Sequence, residues 1–460
     1  KSQSHCRTGK QNPKICINFV GLKNYEMERL LHYTWQNKLF PAGPHKTTHG
    51  IPLEIITPGV HNSDAGPDFI GSIVRINGME FAGNVEIHTK SSDWYRHGHQ
   101  DDRKYANVVL HVVSEADTEV FDCNGRQLPQ FVMQVPQYIE ANYDELSREE
   151  KFPPCWRNVG NLSDIKINSW LSKLHIERLE AKVSRIYNCL HRCNNDWERV
   201  CFITIARNFG FGVNGEAFEE WAYNIPLNAV AKHRDNPFQV EAMFLGQAGL
   251  LDEDSLPEKY KEAAIKEGWF SKLAAEYKFL SHKFTLTPMP VEHWKLLRTR
   301  PQNFPHIRLS QLAGLYAKDT FSLASLTAPG ELKEVRKRLE TGVSDYWRKH
   351  YLFGCESKES DKKPGLRSQN LLVLNSIIPL LFAYGRYRGE ESMEQRSLEL
   401  LASLPAEDNF ITRTWQMLGI VSRSAADSQA LVHLKTRYCD RRDCLRCSWG
   451  HEYLKTTKHL

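Results

Sequence analysis

The stretch PGVHNSDAGPDFIGSIVRINGMEFAGNVEIHTKSSDWYRHGHQDDRKYANVVLHVV, residues 58–113, decides the fold and carries most of the chemistry. It sets Asp64, Asp68, Glu86, His88, Asp93, His97, His99, Asp101, Asp102 and His111 between short apolar runs. FIGSIVRI reads as a strand, Asn77-Gly78 as a tight turn and MEFAGNVEIHT as the returning strand. NVVLHVV is a continuous apolar run of the kind buried on both faces of a sheet. Between them, SSDWYRHGHQDDRKYA opens with Ser/Asp capping signals and continues as helical or irregular polar chain. Upstream, IPLEIITPG is a strand stopped by Pro58-Gly59, and MERLLHYTWQNKLF is a helix over 27–40 ended by Pro41. Downstream, EVFDCNGRQLPQFVMQV adds a hairpin around Asn124-Gly125. Residues 27–140 are therefore expected to form an α/β domain with a mixed sheet.

From about Tyr138 the pattern changes. WLSKLHIERLEAKVSRIYNCL places Leu171, Leu174, Leu179, Val183, Ile186 and Leu190 at helical spacing, and helical patterns dominate onward. The expected organisation is a linker over 141–160, an all-α domain over 161–438 and a cysteine-rich tail over 439–454. Residues 1–26 are polar and basic without a clear period. They read as a disordered or non-native extension ahead of Met27.

At 460 residues the chain needs more than one core. A net charge of +5 permits a polyanionic partner such as nucleic acid without requiring one. No apolar run reaches the ~18 residues that would cross a bilayer, so no membrane partner is expected. Eleven cysteines without a disulfide-framework spacing point to a reduced, cytoplasmic protein.

Two groups of residues carry chemistry. In the first, residues two apart in a strand share a face, so Glu86, His88 and Lys90 project together. A hairpin turning at Asn77-Gly78 brings Asp68 near Glu86 and His88. Asp64 is a candidate outer ligand, and Glu54 and Glu28 are weaker ones. His97-x-His99, followed by Asp101, is a recurrent metal-ligand spacing, because an extended chain aims both rings one way. It is either a second metal site or a polar loop whose histidines pair with the nearby aspartates. Trp94 and Tyr95 beside it are expected to pack. His111, inside an apolar run, reads as a core histidine.

The second group is Cys439-x4-Cys444-x2-Cys447, with His451 three residues on. Thiolates at this spacing can reach one tetrahedral ion. With His451 as fourth donor the set suits structural Zn²⁺. With Cys155, from FPPCW, it becomes four thiolates and suits Zn²⁺ or an iron–sulfur cluster.

HNSDAGPDF, GNVEIH, SSDWYRHGHQ, NVVLHVV, FPPCW, EAMFLGQAGLL, RPQNFPHIRLSQLA and YCDRRDCLRCSWG resemble an uncharacterised bacterial family, a domain of unknown function, over residues 27–454. The order of elements in the first domain also resembles the PD-(D/E)XK, restriction endonuclease-like, nuclease superfamily. There an Asp opens the second core strand and a (D/E)-x-K sits on the third. That resemblance implies Asp68 and Glu86 as ligands for Mg²⁺ or Mn²⁺. It leaves His88 where the superfamily usually has Lys, with Lys90 as a substitute. The expected function is a metal-dependent nuclease or a nuclease-derived nucleic-acid-processing protein. The alternatives are a non-catalytic nucleic-acid or ribonucleoprotein binding module, and a zinc or iron hydrolase of a small molecule using His88, His97 and His99.

Overall fold

The computed structural model describes residues 19–41, 43–297, 299–318 and 322–456. It divides into two compact units, one holding residues up to Leu162 together with Arg437 onward, the other Ser163–Thr436.

The first unit opens with α1, Phe19–Gln36. Residues 1–18 of the expected extension lie outside the described residues, and residues 19–26 belong to this helix. Seven strands follow: β1 His45–Lys46, β2 Pro52–Thr57, β3 Val60–His61, β4 Phe69–Ile76, β5 Met79–Lys90, β6 Val108–Glu115 and β7 Gln130–Val132. They make one mixed sheet in the order β1-β2-β4-β5-β6-β7, with β3 on β4. The pairs β2–β4 and β4–β5 are antiparallel, and β5–β6 and β6–β7 are parallel. Asn77 and Gly78 both take positive φ, 50° and 81°, as the tight turn between right-twisted strands requires. Between β5 and β6 the chain crosses through a short helix, α2, Asp93–Arg96, and two 3₁₀ turns.

Leu31 and Trp35 of α1 share an apolar cluster with Val85, Ile87, Leu110 and Val112. A second cluster joins Trp94, Tyr105, Val108, Val120 and Leu128. Val108 and Leu110 are two apart yet belong to different clusters. In a regular strand they would share a face. The register explains the difference: Asn84 pairs with Val108 and Val85 with Leu110, so Val109 is an extra residue in β6. Gly83 lies against this bulge. A Cβ there would run into Val109 and stand 2.7 Å from the Asn107 carbonyl oxygen.

The segment expected to link the domains, 141–160, is built into the first unit. Ile139, Tyr143 and Leu146 give α3, Gln137–Arg148, a buried stripe, and a 3₁₀ turn covers Trp156–Asn161. The tail is also part of this unit. Asn142 donates to the carbonyls of Leu454 and Thr456 at 3.0 and 2.9 Å, and Arg29 pairs with Asp443 at 2.9 Å.

The second unit is helical. Its longest helix, α4, Asp164–Arg192, buries the Leu171, Leu174, Leu179, Val183, Ile186 and Leu190 stripe. The Asp196 side chain accepts the Arg199 N–H and opens α5, Trp197–Phe209. Among the described residues one helical run, Leu366–Arg388, is long and apolar enough by composition to cross a membrane. Leu372, Val373, Ile377, Leu380 and Leu381 of this run are buried in the core of the unit.

Candidate metal centre

β5 carries Glu86 and His88, both nearly inaccessible at 4% and 2% exposure. Asp68 stands at the entry to β4 and is locked to β5 by two bonds. Its N–H donates to Glu86 Oε2 at 3.0 Å, and the Ile87 N–H donates to Asp68 Oδ2 at 2.9 Å. Asp68 is thus in contact with Glu86, and His88 Nε2 lies 3.5 Å from Glu86 Oε1.

His97 and His99 arrive on the turn that follows. Gly98, at φ 75°, bends the chain between them. The turn is anchored from outside. Trp94 Nε1 donates to the Phe121 carbonyl at 3.1 Å, Tyr95 O–H to the Glu119 carbonyl at 3.0 Å, and Ser92 Oγ to Asp117 at 2.7 Å. Trp94 is fully buried and packs, whereas Tyr95 is exposed and is tethered through its hydroxyl. The His99 ring stacks on Tyr105 at 3.8 Å.

The donor atoms now face one another. His88 Nε2 is 3.1 Å from His97 Nδ1 and 3.5 Å from Glu86 Oε1, and His99 Nε2 is 3.2 Å from the same Glu86 oxygen. Each of the three rings presents a nitrogen within 4.8 Å of the others. Two donors at 2.0–2.1 Å on one tetrahedral ion stand about 3.3 Å apart. These gaps bracket that edge length. His99 Nε2 is buried, and its contact with Glu86 Oε1 does not meet hydrogen-bond geometry, a state that a metal bond would relieve.

Electrostatics favours lone-pair donors. Burial pushes His88, His97 and His99 below the ordinary imidazole range, so they are neutral near pH 7. Burial, then the charge of Asp68, lifts the Glu86 carboxyl well above the usual carboxylate range. A dication here would reverse that balance and hold it ionised. His111 Nε2 lies 2.9 Å from His88 Nδ1. With the proton on His88 Nδ1, His88 Nε2 is left free to ligate, the arrangement in which an outer partner fixes a ligand's tautomer. His111 is fully buried, as a core histidine would be, and it also touches the site.

Two further groups come from α1. His32 Nε2 is 3.3 Å from Asp68 Oδ2. Burial opposes protonation of His32, but the hydrogen bond and charge of Asp68 prevail and raise it. Glu28, one turn earlier, is raised by burial and senses both residues. Sequence reasoning passed over His32. The Glu28-x3-His32 spacing, which stacks an acid and a base on one helix face, was the available signal.

Other candidates stay outside. Lys90 is exposed and pairs with Glu115 at 2.9 Å, because β5 leaves the sheet's cover there. Asp64 and Asp101 are exposed. Asp64 N–H bonds the Asn62 side chain at 2.9 Å, and Asp101 accepts from Gln100 at 2.8 Å. Glu54 pairs with Arg75 on the exposed side of the sheet.

The cysteines of the second group gather separately within the first unit. Cys155 precedes the Trp156–Asn161 turn, Cys444 opens a 3₁₀ turn, Cys447 precedes the helix Ser448–Leu454, and Cys439 ends the turn before them. None of the four is in a disulfide. Burial and the neighbouring thiols Cys447, Cys155 and Cys444 push Cys439 up. His451 Nδ1 lies 2.7 Å from the Tyr33 hydroxyl.

A further donor set, Glu267, His350 and Glu356, lies in the helical unit. Its two carboxylates are exposed, and Glu267 accepts the Tyr346 O–H at 2.6 Å. This is the signature of a surface ion pair.

No curated protein and no solved structure matches the chain significantly. A family model matches residues 28–410, taking in the sheet, the imidazole cluster and most of the helical unit but not the tail cysteines. The chain belongs to that family, DUF2851, described as a protein of unknown function.

Proposed function

We propose that the first unit is a metal-dependent phosphodiesterase, a nuclease-like enzyme whose ion is held by His88, His97, His99 and Glu86. The observation that carries this reading is the set of donor gaps of 3.1, 3.2 and 3.5 Å. Three imidazoles favour Zn²⁺ or another transition ion such as Mn²⁺ over Mg²⁺, which prefers oxygen donors. The bound ion would lower the pKa of a coordinated water and offset charge on a phosphoryl oxygen. Glu86 Oε2 keeps its bond from the Asp68 N–H, so Oε1 can be displaced while the side chain stays anchored. Asp68, one hydrogen bond away from Glu86 and paired with His32, would be placed to accept the proton of a water on that ion, and His32 would orient the Asp68 carboxylate. His32 thus stands in for the lysine that a nuclease of the PD-(D/E)XK type would use. The antiparallel run β2-β4-β5 followed by parallel β6, with α1 packed on the sheet, supports the restriction endonuclease-like part of this reading.

The all-imidazole donor set also suits a metal hydrolase of a small molecule. One experiment separates the cases. Protein loaded with Zn²⁺ or Mn²⁺ is assayed on single- and double-stranded DNA and RNA and on bis(p-nitrophenyl) phosphate. Cleavage of nucleic acid that falls by more than about 100-fold in His99→Ala and Asp68→Asn is expected. Cleavage of the small ester alone favours the second reading. Metal binding without any cleavage removes both enzymes and leaves a binding module.

A further inference from the structure

We propose that Cys155, Cys439, Cys444 and Cys447 hold a second metal centre of four thiolates, which fastens the tail from Arg437 onward to the rest of the first unit. The cluster lies outside the imidazole site and shares no donor with it.

Four observations converge. First, three of the thiols, Cys155, Cys444 and Cys447, are less than a tenth exposed, and none of the four is in a disulfide. Second, the tail segment folds back on itself between the thiols: the Arg442 N–H donates to the Cys439 carbonyl at 3.2 Å, the Asp443 N–H to the Tyr438 carbonyl at 2.9 Å and the Cys447 N–H to the Cys444 carbonyl at 3.3 Å. Third, the helix Ser448–Leu454 packs on the turn Trp156–Asn161, which joins the chain just after Cys447 to the chain just after Cys155. Fourth, Gly450 allows the Cys444 turn to fold flat onto that helix. A Cβ at Gly450 would run into the Cys444 carbonyl and lie 3.1 Å from its carbon.

Cys155 is taken as the fourth donor because the turn that follows it packs on the helix that follows Cys447. His451 Nδ1 is engaged by the Tyr33 hydroxyl on α1, and the two rings meet edge to face at 5.6 Å. The His451→Gln variant separates the two donors. Buried cysteines do serve as small apolar fillers. Four free ones, three of them at the spacing Cys-x4-Cys-x2-Cys, need more than packing to explain. Thiolates select soft ions, so the centre takes either one Zn²⁺ or an iron–sulfur cluster. Binding of Zn²⁺ replaces the four S–H protons with four Zn–S bonds and releases those protons to solvent.

The experiment uses the full chain purified without oxygen from cells supplied with zinc and iron. Metal and acid-labile sulfide are counted per chain. Zinc marks a mononuclear site, and iron with sulfide marks a cluster; either supports the proposal. Cys155→Ser is expected to lose this metal, and His451→Gln to keep it. His99→Ala also keeps it, so loss of the imidazole ion is scored independently. Because Cys155→Ser can fail to fold, alkylation of wild type is measured as well. Cys155, Cys439, Cys444 and Cys447 should be protected together until a chelator is added. Neither metal at stoichiometric level, independent labelling of the four thiols, or metal lost in His451→Gln and kept in Cys155→Ser would overturn the assignment.

Discussion

The two donor clusters of the first unit are built in opposite ways. The imidazoles and Glu86 come from one run of chain, residues 86–99, and the sheet holds them in place. The thiols come from both ends of the unit, Cys155 and the segment 439–447, and little secondary structure supports them. Glu86 and His88 sit on a preformed strand, and His97 and His99 on a turn that Ser92, Trp94 and Tyr95 anchor, so this donor set needs no ion to fold. A donor set assembled from distant turns depends on its ion, because metal binding free energy there is folding free energy.

This contrast can be broken by experiment, and the largest effect is expected at the thiols. Chelation or Cys155→Ser should lower the unfolding midpoint and free the tail to protease. Isolated zinc fingers, which gain about 10–16 kcal/mol on binding zinc, set the ceiling. His99→Ala should abolish activity with little change in midpoint. If His99→Ala unfolds the protein and Cys155→Ser does not, the contrast is inverted. Next in size is His111→Leu, which is closer to imidazole in volume than Phe and removes the hydrogen-bond partner of His88. Metal affinity at the imidazole site should fall roughly 10–100-fold, read by chelator competition. An unchanged affinity would mean that His111 is core only.

A smaller effect sets the pH range in which both clusters can be compared. His306, in the helical unit, is pushed down by burial to about 3. Its unfolded value is near 6.5. Between these values the unfolded chain takes a proton that the folded chain refuses. Stability is therefore complete above about pH 6.5 and falls by up to about 1.4 kcal/mol per pH unit as pH drops toward 3. Denaturant titrations from pH 7 to 4.5 should show a shallower slope in His306→Gln; equal slopes would sink this assignment. The smallest effect is at Lys90. Exposed and paired with Glu115, it should be replaceable by Ala with activity unchanged within twofold. A loss of more than tenfold would restore it to the site.

What the sequence disclosed follows the range of the physical signal. The β4–β5 hairpin was legible because Asn-Gly selects its own turn and alternation sets the faces. Glu86, His88 and Asp68 followed from that register, and His97-x-His99 from local spacing. His32 was not legible, because its role depends on how α1 lies across the sheet. Lys90 was misjudged because alternation shows which side a residue faces and does not show where the cover over that side ends. The segment 141–160 reads as a linker in the sequence, while Ile139, Tyr143 and Leu146 give α3 a narrow buried stripe that ties its first part into the first unit. The proposed place of Cys155 in the thiol set rests on the packing of the Trp156–Asn161 turn against the Ser448–Leu454 helix, which no reading of the tail alone could supply.

The extra residue at Val109 acts as a parity switch for everything after it in β6. Ligands at this site can be exchanged one at a time, each at its own cost. Removing Val109, or giving Gly83 a side chain that displaces it, would instead turn the whole remainder of the strand over in a single step. His111 would swing toward α1, and Leu110 and Val112 toward the imidazoles. A substitution at the site thus leaves the strand's faces as they are, whereas a change of chain length exchanges them. Its history of variation should be written in substitutions, with β6 free of insertions and deletions.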